Sequence, residues 1–277
     1  AGRRRGGAMI AAGLRRRWRL VRTLFGTTIA LYAEYRAEMA IWVLAGSLPL
    51  VMMFAWIGIA RERPIGGYDA AGFVAYFLTV FFVRQMTPVW VLGEVDRAIR
   101  KGELSPMLLR PLHPFWVHAV GHLSAVIMRV PAIGLLAVLG LWAGGALDRL
   151  DWASLPLFAL AIVGAWTILF NFHYSFGLLA FWTDQAGALQ TLIYTLNMIF
   201  GGGLVPLELF PPALRAALLY TPFRAVIDFP VGLLAGRPGW PETLQGFALQ
   251  LAWILVFVGA RRLLWRRGLR RYAAAGA

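Results

Sequence analysis

Residues 94–114 read EVDRAIRKGELSPMLLRPLHP, and this run is the longest charged island in the sequence between two strongly apolar segments. A short helical pattern within it closes at Gly102, and Pro106, Pro111 and Pro114 stop helix propagation. We interpret the run as a polar connector that docks onto something outside the chain. The alternative is an ordinary solvated loop, because charge runs usually only face water.

The connector, taken as residues 93–114, carries both signs of charge. Its charged residues are Glu94, Asp96, Arg97, Arg100, Lys101, Glu103 and Arg110. A short helical element bounded by prolines transmits force better than a loose loop does. These seven residues are therefore the candidate docking residues.

The composition on either side of the connector is that of a membrane protein. The 277-residue chain is 60% hydrophobic and only 14% charged, with a mean hydropathy of +0.66, unlike a soluble domain. Several stretches of about 20 residues have almost no charge, which is the length a helix needs to cross a bilayer. The sequence therefore predicts an all-α membrane protein. Because it contains no cysteine, disulfides, thiolate metal ligands and thiol nucleophiles are excluded.

Six transmembrane helices are predicted within a transmembrane domain of residues 39–260. The expected spans are 39–59, 73–92, 126–146, 155–182, 186–205 and 244–260. Arginines cluster before the first span, in the connector and in the basic tail 261–277. The positive-inside rule therefore places both termini in the cytoplasm. Anionic membrane lipids account for the net charge of +14, so no nucleic-acid partner is expected.

Residues 1–38 are predicted to form a cytoplasmic tail followed by an amphipathic interfacial helix. Arg15, Arg19 and Arg22 lie on one side of its helical pattern, and Trp18 lies on another. Such a helix rests on the membrane surface with its arginines among the lipid headgroups. The alternative is a charge cluster that only sets the topology.

Residues 206–239 are moderately apolar, but neither half makes a good spanning helix. The segment is interrupted by Pro206, Pro211, Pro212, Pro222 and Pro230. Irregular backbone at membrane depth persists only under a cover of protein or water. We therefore predict an outer re-entrant helical hairpin between spans five and six.

Two kinds of catalytic or metal site can be tested against the sequence. The one lysine, Lys101, follows Arg100, so the chain lacks the glycine-rich lysine loop with which many ATPases bind phosphate. His118 and His122 are one helical turn apart, but Ala119 stands where a zinc protease has its glutamate. We therefore expect no catalytic residues and no metal site.

Ion-coupled transport is disfavoured because the spans contain no clear carboxylate at mid-membrane. The second span instead contains Arg84, which should face protein, water or an anionic group. The alternative for Arg84 is a structural pair with a carboxylate such as Asp69 or Glu208.

Several short motifs, taken in order along the chain, resemble a known family. They are GEL at 102–104, LLRPL at 108–112, GGLVPLELFP at 202–211 and TPF at 221–223. Together with the order of interfacial helix, six spans, connector and hairpin, they resemble the membrane subunits of bacterial ATP-binding-cassette exporters of the second type. They are similar to a two-permease subgroup of that family.

The resemblance implies a permease of the bacterial cytoplasmic membrane that pairs with itself or with a sister permease. Two ATPase subunits would bind ATP and Mg²⁺, and this chain would hold no cofactor. Membrane lipids would be its other partners. The connector and the interfacial helix would sit in a groove of the ATPase.

In this family the hairpin closes the exit side as an outer gate, and a static plug is the alternative. The gate residues implied are Pro206, Glu208, Phe210, Pro211, Pro222, Phe223 and Arg224. Residues suggested for the substrate path are Trp42, Phe77, Arg84, Tyr194 and Asn197. Their aromatic groups would suit an amphiphilic substrate.

Two other classes of function stay open at this point. One is an ATPase-independent transporter or channel, and the other is a membrane scaffold without a transport path. Drug-like molecules, lipids, peptides and glycans all remain possible substrates. The sequence does not separate a homodimer from a heterodimer.

Overall fold

The computed structural model describes residues 22, 23, 25–29, 41, 43–183, 188–236 and 238–275. Over these residues the chain is helical apart from turns and loops. The predicted class, an all-α membrane protein, is confirmed. Among the predicted site residues, Arg15, Trp18, Arg19 and Trp42 lie outside the described residues. Arg22 lies within them, exposed and helical.

Eleven α-helices of widely different length follow one another from Leu48 onward in the described residues. They are α1 Leu48–Ala60, α2 Ala70–Met86, α3 Val91–Arg100, α4 Leu104–Leu108, α5 Pro114–Ala143, α6 Leu155–Gly177, α7 Ala188–Phe200, α8 Pro212–Leu218, α9 Pro222–Val226, α10 Asp228–Val231 and α11 Trp240–Ala275. Short 3-10 helices cover Leu147–Arg149, Trp152–Ser154, Leu178–Phe181 and Leu207–Leu209, and Gly232–Gly236 is a π-helix.

Five helical stretches of the described chain are long and apolar enough to cross a membrane. They are Val43–Ala60, Ala70–Arg100, Pro114–Ala143, Trp152–Phe181 and Trp240–Tyr272. Leu189–Phe200 is a shorter apolar helix. The six predicted helices are therefore present, and the fifth is shorter than expected. It ends at Phe200 because Gly202 takes a left-handed φ of 89° that breaks the helix.

Two helices extend beyond the predicted spans. The third span was expected to begin at residue 126, but α5 begins at Pro114, which occupies a first-turn position where its missing N–H costs nothing. The helix continues through Pro131 and ends before Gly144. The sixth span was expected to end at residue 260, but α11 continues through the basic tail to Ala275.

The packing core follows α2 and then α3. Phe73, Phe77 and Val80 of α2 are fully buried and belong to one cluster with Ile168 of α6 and Val231 of α10. A second cluster joins the apolar face of α3 to α5, α6 and the 3-10 helix after α6. In contrast, α1, α5 and α11 leave much of their apolar surface exposed, as helices do when lipid or another subunit covers them.

Candidate functional site

The connector begins with α3, which is strongly amphipathic. Val91, Val95 and Ile99, four residues apart, are buried on one side, while Arg97 and Arg100 are exposed on the other. Glu94 lies in the first turn and the two arginines lie in the last, so each charge is favourable to the helix dipole. The helix ends before Gly102, whose φ is 73°.

The buried side of α3 packs on the end of α6 and on the 3-10 helix Leu178–Phe181. The two helices α3 and α6 come very close together at Gly177. A Cβ placed there would lie 2.9 Å from the carbonyl oxygen of Leu92 and 2.9 Å from the Cβ of Val95. The connector helix is therefore seated directly against the backbone of α6.

Glu94 points inward and joins α3 to α5. One oxygen, Oε2, lies 2.9 Å from Nδ1 of His118 and 3.3 Å from Nε2 of His122. The other oxygen accepts a 2.8 Å hydrogen bond from the indole N–H of Trp90. The Trp90 ring stacks on His122 with 3.9 Å between centroids. We call Trp90, Glu94, His118 and His122 the Glu94 cluster.

Sequence reasoning missed this cluster, although it noted that His118 and His122 share one face of a helix. What it lacked was the position of Glu94 opposite them. Within the described residues, no group of three or more His, Cys, Asp or Glu side chains is arranged to hold a metal ion. The histidines instead fix the register of α3 against α5.

The other predicted docking residues divide between buried and exposed positions. Asp96 is buried and accepts a 2.5 Å hydrogen bond from Arg100. The exposed charged residues are Arg97, Arg100, Lys101, Glu103 and Arg110. Leu109 is also 88% exposed, so the outer side of the connector presents an apolar residue among basic ones.

The C-terminal half of α11 braces the connector from a third side. Tyr272 forms a 2.8 Å hydrogen bond with Ser105 through the two hydroxyls. The guanidinium of Arg261 lies 3.7 Å from the ring centroid of Phe115. The ring of Phe181 packs directly against Gly268, where a Cβ would lie 2.1 Å from Cδ2 of the ring. The residues of the predicted basic tail thus contact the connector and help to hold it in place.

The segment 206–239 lies at the opposite end of the helices. Tyr68, in the turn between α1 and α2, donates a hydrogen bond to Glu208. Tyr76 of α2 donates to the carbonyl of Gly202 at 2.8 Å, and Trp56 of α1 donates to that of Leu204 at 3.1 Å. The start of the segment and the residues just before it are therefore tied to the first two helices.

The rest of the segment is tied to α6 and α11. Arg224 forms a 3.1 Å ion pair with Asp228, and burial raises the pKa of Asp228 to about 6 against the opposing effect of Arg224. The amide of Gln250 donates to the carbonyls of Ala161 and Ala225 at 2.9 Å and 2.8 Å. Polar contacts thus hold the segment at its start and near its middle.

The remaining predicted gate residues take structural positions in this segment. Pro206 and Pro211 precede the 3-10 helix and α8, and Pro222 begins α9. Phe210 is half-buried. Phe223 contacts Phe200 of α7 with 6.4 Å between ring centroids.

The predicted substrate-path residues are only partly brought together. Phe77 is fully buried and stacks with Phe73 among the aromatic rings of the core. Arg84 donates a 2.5 Å hydrogen bond to the hydroxyl of Tyr194. Asn197 lies one turn further along α7, with its amide oxygen buried and unpaired.

The structural pair expected as the alternative for Arg84 is not the arrangement found. Asp69 pairs with Arg149 at 2.5 Å, and Glu208 accepts from Tyr68. Both carboxylates are at the far end of α2, since Asp69 caps its first turn. Arg84 lies in the last turn of that helix and cannot reach them.

Comparison with known proteins gives a family. The family model described as ABC-2 family transporter protein matches residues 46–276, which is most of the chain. None of the curated proteins matches the sequence significantly. The matched region contains all five long membrane-spanning stretches except the first few residues of the first. The chain therefore belongs to the ABC-2 transporter family, as the resemblance predicted.

Proposed function

We propose that this integral membrane protein is the permease subunit of an exporter driven by a separate nucleotide-binding subunit. The family supplies the general role, a permease of an ATP-binding-cassette transporter. The finer proposal is that the partner ATPase binds ATP and Mg²⁺, docks on the connector, and drives export of an amphiphilic substrate. The permease would work in the bacterial cytoplasmic membrane as a dimer with itself or with a sister permease.

The observation on which this proposal rests is the construction of the connector. Its inner side makes apolar and polar contacts with α6, with the Glu94 cluster and with α11. Its outer side presents Arg97, Lys101 and the exposed Leu109 to solvent. A rigid element with a basic and apolar outer surface is suited to receive force from a soluble partner.

The arrangement of the two ends supports the proposed topology. The connector contacts the last turns of α11, where Arg266, Arg267, Arg270 and Arg271 lie. The connector and the C-terminal arginines are therefore at one end, and the positive-inside rule assigns that end to the cytoplasm. The segment 206–239 would then be on the outer side.

The docking proposal is tested by reversing charges at Arg97 and Lys101 together. Both are exposed, and changing them leaves the Asp96–Arg100 pair in place. We expect R97E/K101E to insert and fold normally but to lose copurification with the ATPase and the ATPase stimulation by the permease. The loss should be at least about tenfold, since two charge-assisted contacts are removed.

The matched control is R61E/R63E, which reverses two exposed arginines in the turn between α1 and α2. That turn is at the other end of α2, so this variant should keep wild-type copurification. If both double variants bind the ATPase equally well, the connector is only a solvated loop and the docking proposal is wrong.

A further inference from the structure

Arg84 is a cation in a membrane-spanning stretch that no described carboxylate neutralises. The two acids that the sequence offered as partners are engaged with Arg149 and Tyr68. An arginine inside a membrane is costly unless it is paired or hydrated, and for this reason it usually has a function. A further acceptor for Arg84 would therefore be water or an anionic group other than the described carboxylates.

Tyr194 of α7 is the group that contacts Arg84 in this conformation. Nη2 of Arg84 donates to the phenolic oxygen at 2.5 Å, and the guanidinium carbon lies 5.2 Å from the ring centroid. Since the phenolic oxygen accepts this bond, its own hydrogen is free to donate. Nη1 of Arg84 is buried and has no acceptor among the described atoms. Two donors thus lie side by side without an acceptor.

The helix that carries Tyr194 is less tightly held than the core. It packs against the short helix α9, where Phe200 contacts Phe223. Tyr194 is 47% exposed and Leu192 on the same helix is 54% exposed. A movement of α7 away from α2 would uncover Nη1.

We propose that Arg84 and Tyr194 form an anion-binding site in the substrate path, and that the exported amphiphile carries a phosphate, sulfate or carboxylate group. The guanidinium and the phenol donate to the same anion. In the conformation described, the ring and hydroxyl of Tyr194 cover the guanidinium, and the anion binds when α7 moves away. This proposal rests on the proposed export function, because it names the substrate class of that path.

Binding can be measured on the purified full-length chain in phosphatidylcholine nanodiscs without any ATPase. The probes are a fluorescent lysophosphatidic acid and a lysophosphatidylcholine with the same acyl chain. We expect the wild-type chain to bind the anionic probe at least about tenfold more tightly, which is the strength of one hydrogen bond to a charged group. Arg84→Gln should abolish this preference.

Three further variants make the result specific. Arg84→Lys should keep part of the preference, because it retains a point charge without the guanidinium fork. Tyr194→Phe should weaken binding of the anionic probe, because it removes the second donor and keeps the ring. Arg63→Gln removes an exposed arginine elsewhere and should behave as the wild type. Circular dichroism and gel filtration check that each variant is folded.

An equal preference in the wild type and Arg84→Gln would overturn the anion site. A transported anion and a resident lipid can have the same headgroup chemistry, so a second experiment is needed to distinguish them. Phosphatidylglycerol in the nanodisc should leave most of the binding of the anionic probe intact. Complete loss of binding there would overturn the substrate assignment and make this a lipid site. Because no ATPase takes part, failure here is distinguishable from failure of the docking proposal.

Discussion

At the scale of single residues, the connector uses its charges in two different ways. Glu94 and Asp96 are directed into the protein, where each accepts hydrogen bonds from neighbouring side chains. Arg97 and Lys101 are directed into solvent. The difference matters because a charge that is shielded by its own chain has less to offer a partner. We therefore expect Glu94 to act on stability and register, and the basic residues to act on docking.

Glu94→Ala should lower the free energy of unfolding by about 2–4 kcal/mol, seen as a lower Tm. The side chain of His122 is only 2% exposed. Removing Glu94 would therefore leave Nε2 of this buried imidazole without a hydrogen-bond partner. Glu94→Gln, which keeps one acceptor oxygen, should fall between the wild type and Glu94→Ala. Tm is followed by near-UV circular dichroism of the purified protein.

Glu103→Ala is the control for that substitution, since it removes one exposed carboxylate from the same connector. It should change the free energy of unfolding by less than about 0.5 kcal/mol. Equal Tm values for Glu94→Ala and Glu103→Ala would show that the Glu94 cluster contributes little to the fold.

At the scale of elements, the connector is held between the ends of α6 and α11. Neither contact follows from the local sequence of the connector. The basic tail 261–277, predicted to follow the sixth span, continues the helix α11 as far as Ala275, and arginine has a high helix propensity. The apolar residues among those arginines, such as Leu264 and Trp265, pack against the cluster around α3.

Gly177→Ala should displace α3 from α6. The new Cβ would meet the backbone oxygen of Leu92, which cannot rotate away as a flexible side chain could. Overpacking of this kind costs about 1–3 kcal/mol. We expect faster hydrogen exchange of the α3 amides, measured by mass spectrometry.

The matched control is Gly259→Ala in α11, where nothing lies within 4 Å of the added Cβ. Alanine is a better helix former than glycine, so this variant should keep or slightly raise stability. If the α3 amides exchange at the same rate in both variants, the close contact of α3 with Gly177 does not restrain the connector.

At the scale of the whole molecule, the long helices separate two polar ends. One end has the connector, the Glu94 cluster and the C-terminal arginines. The other has the turn containing Asp69, the Arg149 that pairs with it, and the segment 206–239. The buried helix α2 extends between them.

The absence of cysteine makes this topology simple to test. Arg63→Cys and Arg97→Cys each introduce the one thiol of the protein at an exposed position. A membrane-impermeant maleimide should label the Arg63→Cys variant in intact spheroplasts. It should label the Arg97→Cys variant only after the membrane has been permeabilised. The unsubstituted protein gives the background. Labelling of position 97 from outside would reverse the proposed orientation and with it the docking proposal.

The sequence by itself determined the helical membrane class, the family and the positions of most spans. A long uncharged run, a proline and a glycine are each visible within a short stretch of sequence. They can therefore be interpreted without knowing which other stretches pack against them. Only the tertiary structure decided which charged residues are paired, since Glu94 and His118 are 24 residues apart and Arg84 and Tyr194 are 110 apart. It also decided that α11 braces the connector. These contacts depend on how distant helices pack, and packing is a property of the assembled fold.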